Sequence, residues 1–341
     1  MKAIIITTIN AVENLYLIHE RCPDWVPIIV GDLKTPHDIN RRICKETGGI
    51  YLDPETQMKL GFTHAAAIPW NCYGRKNIGY LYALKEGATH FFLTDDDNVP
   101  VPDWNQHIHM GLQKIPVIQS SNGWYNCYAG AKTTNSVDIA PRGYATWLLS
   151  EQQKYEENMK EVNVGVIAGL HLGSPDVDAA TRLVLNPDVT SYPEREVALE
   201  HRVMCPYDSQ NTIILRELMP ANMLWSYPGN GWTRYDDIFA GYVGQVIAWK
   251  YGYHVRYGRP FVIQERNPHD FLSDLTLEME GMLIQRRFIE ALLSTKLTGD
   301  SPAEDLQILI HSLLKALPGL PSWLKTHVDT WVYDIKSIGI K

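Results

Sequence analysis

The chain is poor in cysteine and phenylalanine, and it contains no long apolar run. Its five cysteines are scattered and show no CxxC spacing, which argues against a disulfide framework or a zinc knuckle and favours a reducing compartment. No stretch approaches the roughly 20 apolar residues of a membrane span. The N-terminal MKAIIITTIN is too short in apolar residues for a secretory leader and predicts a buried first strand. We therefore expect a cytoplasmic protein, and peripheral membrane association stays open.

An excess of positive charge is also missing. The chain has 31 Lys and Arg against 39 Asp and Glu, a formal net charge of −8, so non-specific binding to nucleic acid is disfavoured. Hydrophobic residues make up 45% of the 341 residues, enough for a sizeable core in one large domain with an appendage or in two domains. The 10 Trp and 18 Tyr outnumber the 7 Phe, and such amphipathic rings suit both ordinary packing and sugar-facing clefts.

The first hundred residues alternate short apolar runs with helical patterns. Predicted strands lie at 3–8, 26–30, 49–52 and 90–94, and predicted helices at 10–21, 35–47 and 77–86. This alternation predicts an α/β fold with a parallel, Rossmann-like sheet. Ligands of such sheets bind at the carboxyl ends of the strands.

The remainder of the chain is less regular until its last part. Residues 100–165 carry Pro, Gly and polar clusters with a charged stretch at 151–161, which indicates excursions or a helical insertion. Helical patterns return at 279–293 and 303–317. We therefore divide the chain into a catalytic domain at 1–275 and a helical extension at 276–341. The aromatic-rich tail is interpreted either as a cap on the core or as the interface of a homo-oligomer.

Three adjacent carboxylates follow the fourth predicted strand. Asp95, Asp96 and Asp97 stand where FFLT gives way to a polar segment, and packing three carboxylates together is unfavourable unless a cation neutralises them. Mn²⁺ or Mg²⁺ with oxygen ligands does so and can bridge a nucleotide diphosphate. We assign Asp95 and Asp97 to the metal, and Asp95 and Asp96 to the nucleotide. A solvated acidic turn is the alternative.

Polar residues at other strand ends and at one helix start are candidate nucleotide contacts. Polar side chains at these places favour a base, a ribose or a phosphate, although they are also common in solvated turns. The candidates are Thr7, Thr8, Asn10, Asp32, Arg75, Lys76 and Asn77.

A second group of candidates lies in the later half of the chain. Arg234, Asp236 and Asp237 precede a helix rich in small and apolar residues, so the carboxylates are candidates for a general base or for orienting an acceptor hydroxyl. Helix capping is the alternative. His269 follows an apolar strand and is a candidate third metal ligand, with a structural histidine as the alternative.

Four stretches carry a resemblance to a known family. They are FFLTDDDN at 91–98, VIAGLHLGSPDVDAATRL at 166–183, MCPYDSQNTIILREL at 204–218 and RYDDIFAGYVGQVI at 234–247. With them the chain resembles the reversibly glycosylated polypeptides, the UDP-arabinopyranose mutases of plants, and their glycosyltransferase-like relatives. The similarity extends from the first strand to about residue 281 and leaves the helical tail outside.

The resemblance implies a glycosyltransferase-A fold, a UDP-sugar donor and a divalent metal held by the acidic cluster. It also implies that Asp236 and Asp237 line the reacting centre, and that His171, Asp176 and Asp178 lie near the sugar. Two features depart from the family. The mutases carry, shortly after an Arg-Gly-Tyr stretch, an arginine that takes up the sugar covalently, whereas here ATWLLSEQQKYEENMK follows Arg142-Gly143-Tyr144. The family's histidine near the end of the matched region is replaced by Gln264-Glu265-Arg266.

Three functions follow from these features. The first is metal-dependent transfer of a sugar from a UDP-sugar to an unidentified acceptor, which the missing arginine favours. The second is interconversion of the pyranose and furanose forms of a UDP-sugar, which the breadth of the resemblance favours. The third is a catalytically silent protein that binds nucleotide-sugars.

Overall fold

The computed structural model describes residues 1–151, 154–225, 227, 234–266 and 270–340. The strands are β1 (Lys2–Thr8), β2 (Trp25–Gly31), β3 (Ile50–Leu52), β4 (His90–Thr94), β5 (Asn98–Pro100), β6 (Gly111–Ser120), β7 (Lys132–Thr133), β8 (Tyr155–Ala168), β9 (Leu170–Gly173), β10 (Val189–Ser191), β11 (Val197–Leu199), β12 (Asn211–Leu215), β13 (Tyr253–Tyr257) and β14 (Pro260–Gln264). The helices are α1 (Leu15–Arg21), α2 (His37–Thr47), α3 (Pro54–Lys59), α4 (Thr63–Ala67), α5 (Lys76–Lys85), α6 (Ala179–Val184), α7 (Asp236–Lys250), α8 (Phe271–Ser294), α9 (Pro302–Ala316) and α10 (Trp323–Ser337).

The first part of the chain forms the parallel half of a large sheet. Strand β1 pairs in parallel with β2 and β4, and β2 pairs in parallel with β3. Residues 3–6 of β1 are buried on both faces, as expected of a parallel strand covered by helices. The four predicted strands are confirmed, and with them the common edge where β1, β2 and β4 end. The predicted helix from residue 10 begins only at Leu15, because the backbone of Asn10 and Val12 is held by hydrogen bonds with the side chains of Thr8 and Asn40.

Beyond β4 the sheet becomes mixed and closes on itself. Strand β12 runs antiparallel to β4 and β8, and β8 forms a long antiparallel pair with β6. Strand β11 joins β6 to β13, which also pairs with β8, so these four strands form a ring. Of the two alternatives predicted for 100–165, excursions or a helical insertion, the helical insertion is wrong, because the described residues there include β6, β7 and the first part of β8. Residues 155–161 of the charged segment form the exposed first half of β8, where pairing with β6 overrides helix-favouring composition.

A smaller sheet brings two distant segments together. Its order is β5-β14-β9-β10-β7, and β5 begins directly after the acidic triplet. Because β14 pairs antiparallel with β5, with Gln264 opposite Asn98, residues 264–266 lie next to the carboxylates that precede β5.

The C-terminal helices pack against the sheet rather than apart from it. A single hydrophobic cluster contains residues of β1, β4, α5, α7, α8, α9 and α10. Trp331 is fully buried and its indole donates to Pro220 O at 2.9 Å, so this part of the tail caps the core. The predicted domain boundary at residues 275 and 276 falls inside α8, and the two-domain division stays a prediction.

The observed architecture is α/β with a helical C-terminal extension. The sheet has the parallel order β3-β2-β1-β4 followed by antiparallel β12, and the acidic triplet comes directly after β4. This is the glycosyltransferase-A type fold that the family resemblance implied. In the described part of the chain, no helix is both long and apolar enough to cross a membrane.

Candidate functional site

A cleft of about 450 Å³ opens at the carboxyl edge of β1, β2 and β4. The position follows from the chain direction, since parallel strands end at one edge of the sheet. Several residues predicted from the sequence line it: Thr7, Thr8, Asn10, Asp32, Asp95, Asp96, Asp97, Arg234 and Asp237. Other lining residues had no predicted role, among them Lys34, Asn71, Tyr73, Arg142, Ser209, Gln210, Gln264 and Arg266.

Asp95 is held by a buried lysine. Lys76 Nζ donates to Asp95 Oδ1 at 2.6 Å, to Thr94 O at 2.8 Å and to Ser209 O at 3.0 Å. Burial raises the pKa of Asp95, and the Lys76 ammonium opposes that rise. The prediction that Lys76 binds the nucleotide is therefore replaced by a positioning role, because its three donors are used within the protein.

Asp96 ties the ends of two strands together. Its Oδ2 accepts from the Thr8 hydroxyl at 2.5 Å and from Asn10 Nδ2 at 3.0 Å. These bonds fix the segment after β1 against the segment after β4 and keep Thr8, Asn10 and Asp96 in one wall of the cleft.

Asp97 is the carboxylate of the triplet with the weakest hydrogen bonding among the described residues. Its Oδ1 is buried and has no hydrogen-bond partner among the described residues, and Gln264 Nε2 donates to Oδ2 at only 3.5 Å. Burial, followed by the charges of Asp95 and Asp96, raises the pKa of Asp97 to about 6. A buried carboxylate oxygen without a donor fits a cation, which would supply the missing charge.

Among the described residues, no group of three or more His, Cys, Asp or Glu side chains is arranged to hold a metal ion. His269 lies outside the described residues. A metal at this place would therefore be held by Asp95 and Asp97, with its other positions left for oxygen atoms of a bound ligand and water.

The predicted contacts Arg75 and Asn77 have structural roles instead. The Arg75 guanidinium is buried against the Trp70 ring and donates to Gln57 Oε1 and to backbone oxygens of the α4 region. Asn77 exchanges hydrogen bonds of 2.9 Å with the backbone of Leu224. Neither side chain lines the cleft, because burial at the start of α5 directs both toward the protein interior.

Asp32 positions a loop that lines the cleft. Its carboxylate accepts from the backbone N–H groups of Leu33 at 2.6 Å, Asn71 at 2.9 Å and Cys72 at 3.2 Å. Asp32 thus lies at the predicted place after β2 and also positions the segment that carries Tyr73.

The second half of the cleft is built on a buried arginine. Arg142 Nε donates to Asp176 Oδ1 at 2.9 Å, and its Nη1 donates to Asp237 Oδ1 at 3.2 Å and to the backbone oxygen of Arg234. Burial raises the pKa of Asp176, but the Arg142 guanidinium outweighs it and leaves that pKa well below the ordinary range. Arg142 therefore links Asp237, which lines the cleft, to the buried Asp176.

Asp236 and Asp237 occupy different environments. Asp236 Oδ1 accepts from the Tyr73 hydroxyl and from the Asp237 N–H, and its Oδ2 is buried with no partner in the part of the chain that the structure describes. Burial and the neighbouring Asp237 raise the pKa of Asp236 well above its ordinary value. Asp236 lies behind Tyr73 rather than in the cleft wall, so of the two predicted carboxylates only Asp237 faces the cavity.

Arg234 is oriented by the C-terminal extension. Its Nε donates to Glu278 Oε1 at 2.9 Å, and its Nη1 lies 3.4 Å from Asp274 Oδ1. Both acidic residues belong to α8, so this helix positions a cation of the cleft.

His171 and Asp178 do not line the cleft. His171 is buried beside a separate cavity of about 20 Å³, which Asp176 and Asp208 also line. Burial lowers the pKa of His171 to about 4, so the ring is neutral at pH 7. Asp178 caps α6 by accepting from Thr181 N at 2.8 Å, which replaces the predicted contact with the sugar.

The missed residues belong to segments that the fold, not the sequence, brings to the cleft. Gln264 and Arg266 end β14, whose pairing with β5 only the structure reveals. In the sequence they were marked by their place after an apolar strand and by the replacement of the family's histidine there, but neither feature assigned them a role. Tyr73 arrives through the loop that Asp32 fixes, and no spacing rule indicates it.

The family resemblance is confirmed by comparison with known proteins. The family model "Reversibly glycosylated polypeptide" matches residues 154–318. This match begins later than the sequence suggested, and it includes α8 and α9.

Named relatives are of two kinds. The chain is 26% identical over 253 residues to "Probable glycosyltransferase STELLO1" of Arabidopsis thaliana, which covers 68% of this chain and 31% of that protein. It is 30% identical over 151 residues to "UDP-arabinopyranose mutase 1" of Arabidopsis thaliana, covering 43% of this chain and 42% of the mutase. The chain thus spans about a third of the length of the first relative and less than half of the second.

The fold is distantly similar to those of solved structures. Glucosyl-3-phosphoglycerate synthase from Mycobacterium tuberculosis, in complex with Mn²⁺, UDP and glucosyl-3-phosphoglycerate, has a TM-score of 0.41 and 11% identity, covering 84% of this chain and 79% of that chain. At this score the likeness says nothing about ligands.

Proposed function

We propose that the cleft binds a UDP-sugar together with Mn²⁺ or Mg²⁺ and that the protein transfers the sugar to an acceptor hydroxyl. The observation that carries this proposal is Asp97. Its buried oxygen, without a donor among the described residues, stands at the carboxyl edge of a parallel sheet beside two further carboxylates. The similarity to a probable glycosyltransferase and to UDP-arabinopyranose mutases supports a nucleotide-sugar as the ligand.

The wall formed by β1 and β2 suits the nucleoside. Thr7, Thr8 and Asn10 follow β1, and Asp32 follows β2. Asp96, held by Thr8 and Asn10, would contact a ribose hydroxyl. This arrangement leaves Asp95 and Asp97 for the metal, which when bound would neutralise charge on the departing diphosphate.

The opposite wall suits the sugar and the acceptor. Asp237 faces the cleft and its orientation is fixed by Arg142. We assign Asp237 to orienting the acceptor hydroxyl and accepting its proton. Asp236 would support this wall through Tyr73, and Arg234 would contact hydroxyls of the sugar or the acceptor.

The mutase reaction is the second candidate. It is favoured by the likeness to several mutases at 28–30% identity. Against it stands the segment after Arg142-Gly143-Tyr144, which lacks the arginine expected there by the family resemblance.

Incubation with a panel of UDP-sugars and Mn²⁺ distinguishes these functions. Release of UDP only when an acceptor mixture is added supports transfer. A ring-isomerised UDP-sugar without net release of UDP supports the mutase. Binding without either product supports a silent binding protein and contradicts the transferase proposal.

Asp97→Asn tests the metal assignment directly. We expect the affinity for UDP with Mn²⁺ in titration calorimetry to fall at least tenfold, because the neutral amide no longer balances the cation. Asp103→Asn is the matched control, since Asp103 is half exposed and outside the cleft. Equal affinity of the Asp97→Asn variant and the unaltered protein would remove the metal from this site.

A further inference from the structure

Arg266 lines the cleft and differs from the other cations there. It follows β14 and lies near enough to Asp97 for its charge to oppose the rise in that residue's pKa. Its Nε and Nη1 are cut off from solvent and have no hydrogen-bond acceptor among the described residues.

The neighbouring arginines are already neutralised. Arg142 is paired with Asp176 and Asp237, and Arg234 is paired with Asp274 and Glu278. Arg266 has no such ion pair within the described part of the chain. Burying a guanidinium without a hydrogen-bond acceptor is unfavourable. A bound anion would supply the missing acceptors and the opposite charge.

The position of Arg266 indicates which anion. It lines the same cleft as the acidic triplet and Asp237. Its charge acts on Asp97, where the metal would lie, and on Arg142, the partner of Asp237, where the acceptor would lie. In a nucleotide-sugar bound in this orientation, the group between the metal and the reacting carbon is the phosphate farther from the nucleoside. A planar guanidinium matches phosphate oxygens with paired hydrogen bonds.

We propose that Arg266 binds the terminal phosphate of the nucleoside diphosphate, an inference that rests on the proposed function. During transfer, the acceptor oxygen bonds to the anomeric carbon and its proton passes to Asp237. The bond from that carbon to the phosphate oxygen breaks, and its electron pair stays on the phosphate. Negative charge therefore grows on the phosphate that Arg266 contacts, so the residue stabilises the leaving group as well as the bound donor.

Comparison of UMP with UDP tests this assignment. We expect Arg266→Gln to weaken UDP binding by about 10- to 100-fold, the loss of a charge-assisted hydrogen bond, while the affinity for UMP stays within about twofold. Affinities would be measured by titration calorimetry with Mn²⁺. Arg266→Lys keeps the charge but lacks the planar fork, so its affinity for UDP should lie between those of the unaltered protein and the Arg266→Gln variant.

Arg286→Gln is the control, because Arg286 is 67% exposed on α8 and outside the cleft. Unchanged UDP affinity of the Arg266→Gln variant, or an equal loss for UMP and UDP, would overturn the assignment. Failure of the unaltered protein to bind UDP would instead contradict the proposed function. A thermal melt of each variant separates loss of binding from loss of fold, and Arg266→Lys carries the test if Arg266→Gln does not fold.

Discussion

At the scale of single residues, the acidic triplet shows how neighbours give identical side chains different tasks. Asp95 is paired with Lys76, Asp96 is bound by Thr8 and Asn10, and Asp97 keeps a buried oxygen without a donor in the described residues. The sequence predicted all three as ligands because they follow a buried strand. It could not rank them, because the groups that distinguish them lie 19 to 88 positions away along the chain.

The raised pKa of Asp97 predicts a pH dependence. Because that pKa is about 6, the carboxyl group is protonated in more acidic solution, and affinity for Mn²⁺ should rise as pH increases through about 6. Calorimetric titrations between about pH 5 and pH 7.5 check this. Asp97→Asn should abolish this rise in Mn²⁺ affinity near pH 6. A Mn²⁺ affinity that does not change with pH in the unaltered protein would contradict the assignment of Asp97 to the metal.

The same pKa predicts a gain in stability when Asp97 is neutralised. Between about pH 4 and pH 6 the folded protein holds a proton that the unfolded chain has released, so stability falls as pH rises through this window. At pH 7 the buried carboxylate is ionised, and the full loss of stability is present. Asp97→Asn should therefore raise the free energy of unfolding by on the order of 1 kcal/mol at pH 7, with little gain below about pH 4. Urea denaturation of both proteins at pH 7 and at about pH 4 measures the difference in the free energy of unfolding. A less stable Asp97→Asn variant at pH 7 would contradict this prediction.

At the scale of elements, the sequence predicted the parallel strands well but missed β8 and the short helices. Strands β1 to β4 were predicted because continuous apolar runs mark buried parallel strands. Strand β8 was missed because its first half is charged and has no apolar strand pattern. Its pairing with β6, which the sequence does not reveal, makes it a strand. Helices α3 and α4 were missed because each is short, at six and five residues. The buried roles of Arg75 and Asn77 followed from packing at the start of α5, which no local pattern specifies.

Helix α8 should affect turnover although Glu278, the residue concerned, lies outside the cleft. Glu278 is fully buried, accepts from Ala179 N at 2.7 Å and holds Arg234. Glu278→Gln keeps an acceptor for Ala179 but loses the ion pair, so turnover should fall about tenfold while the fold is retained. Glu280→Gln, at an exposed position of the same helix, is the control. Equal rates of the two variants would show that Arg234 needs no such support.

At the scale of the whole molecule, the C-terminal extension is attached to the parallel half of the sheet by specific contacts. Asp334 of α10 accepts from the backbone N–H groups of Thr63 at 3.0 Å and His64 at 2.7 Å, and so caps α4. The tail was predicted to be helical, but its docking site could not be, since the partners are 270 positions apart.

This cap predicts that the tail stabilises the entire chain. Asp334→Ala should lower the free energy of unfolding by about 1 kcal/mol, the usual value of a lost helix cap. Denaturant unfolding with two probes, far-UV circular dichroism and tryptophan fluorescence, should report one coincident transition because the extension shares the hydrophobic cluster. Asp38→Ala, fully exposed, is the control. Two separate transitions would mean that the extension unfolds as an independent unit.

The ring of strands β13, β11, β6 and β8 also affects behaviour at high concentration. Because β13 is paired with both β11 and β8, that end of the sheet has no terminal strand in the described residues. At the other end, β3 offers three residues. An edge this short is a poor template for adding a strand from a second molecule, so the larger sheet is protected at both ends against edge-to-edge aggregation.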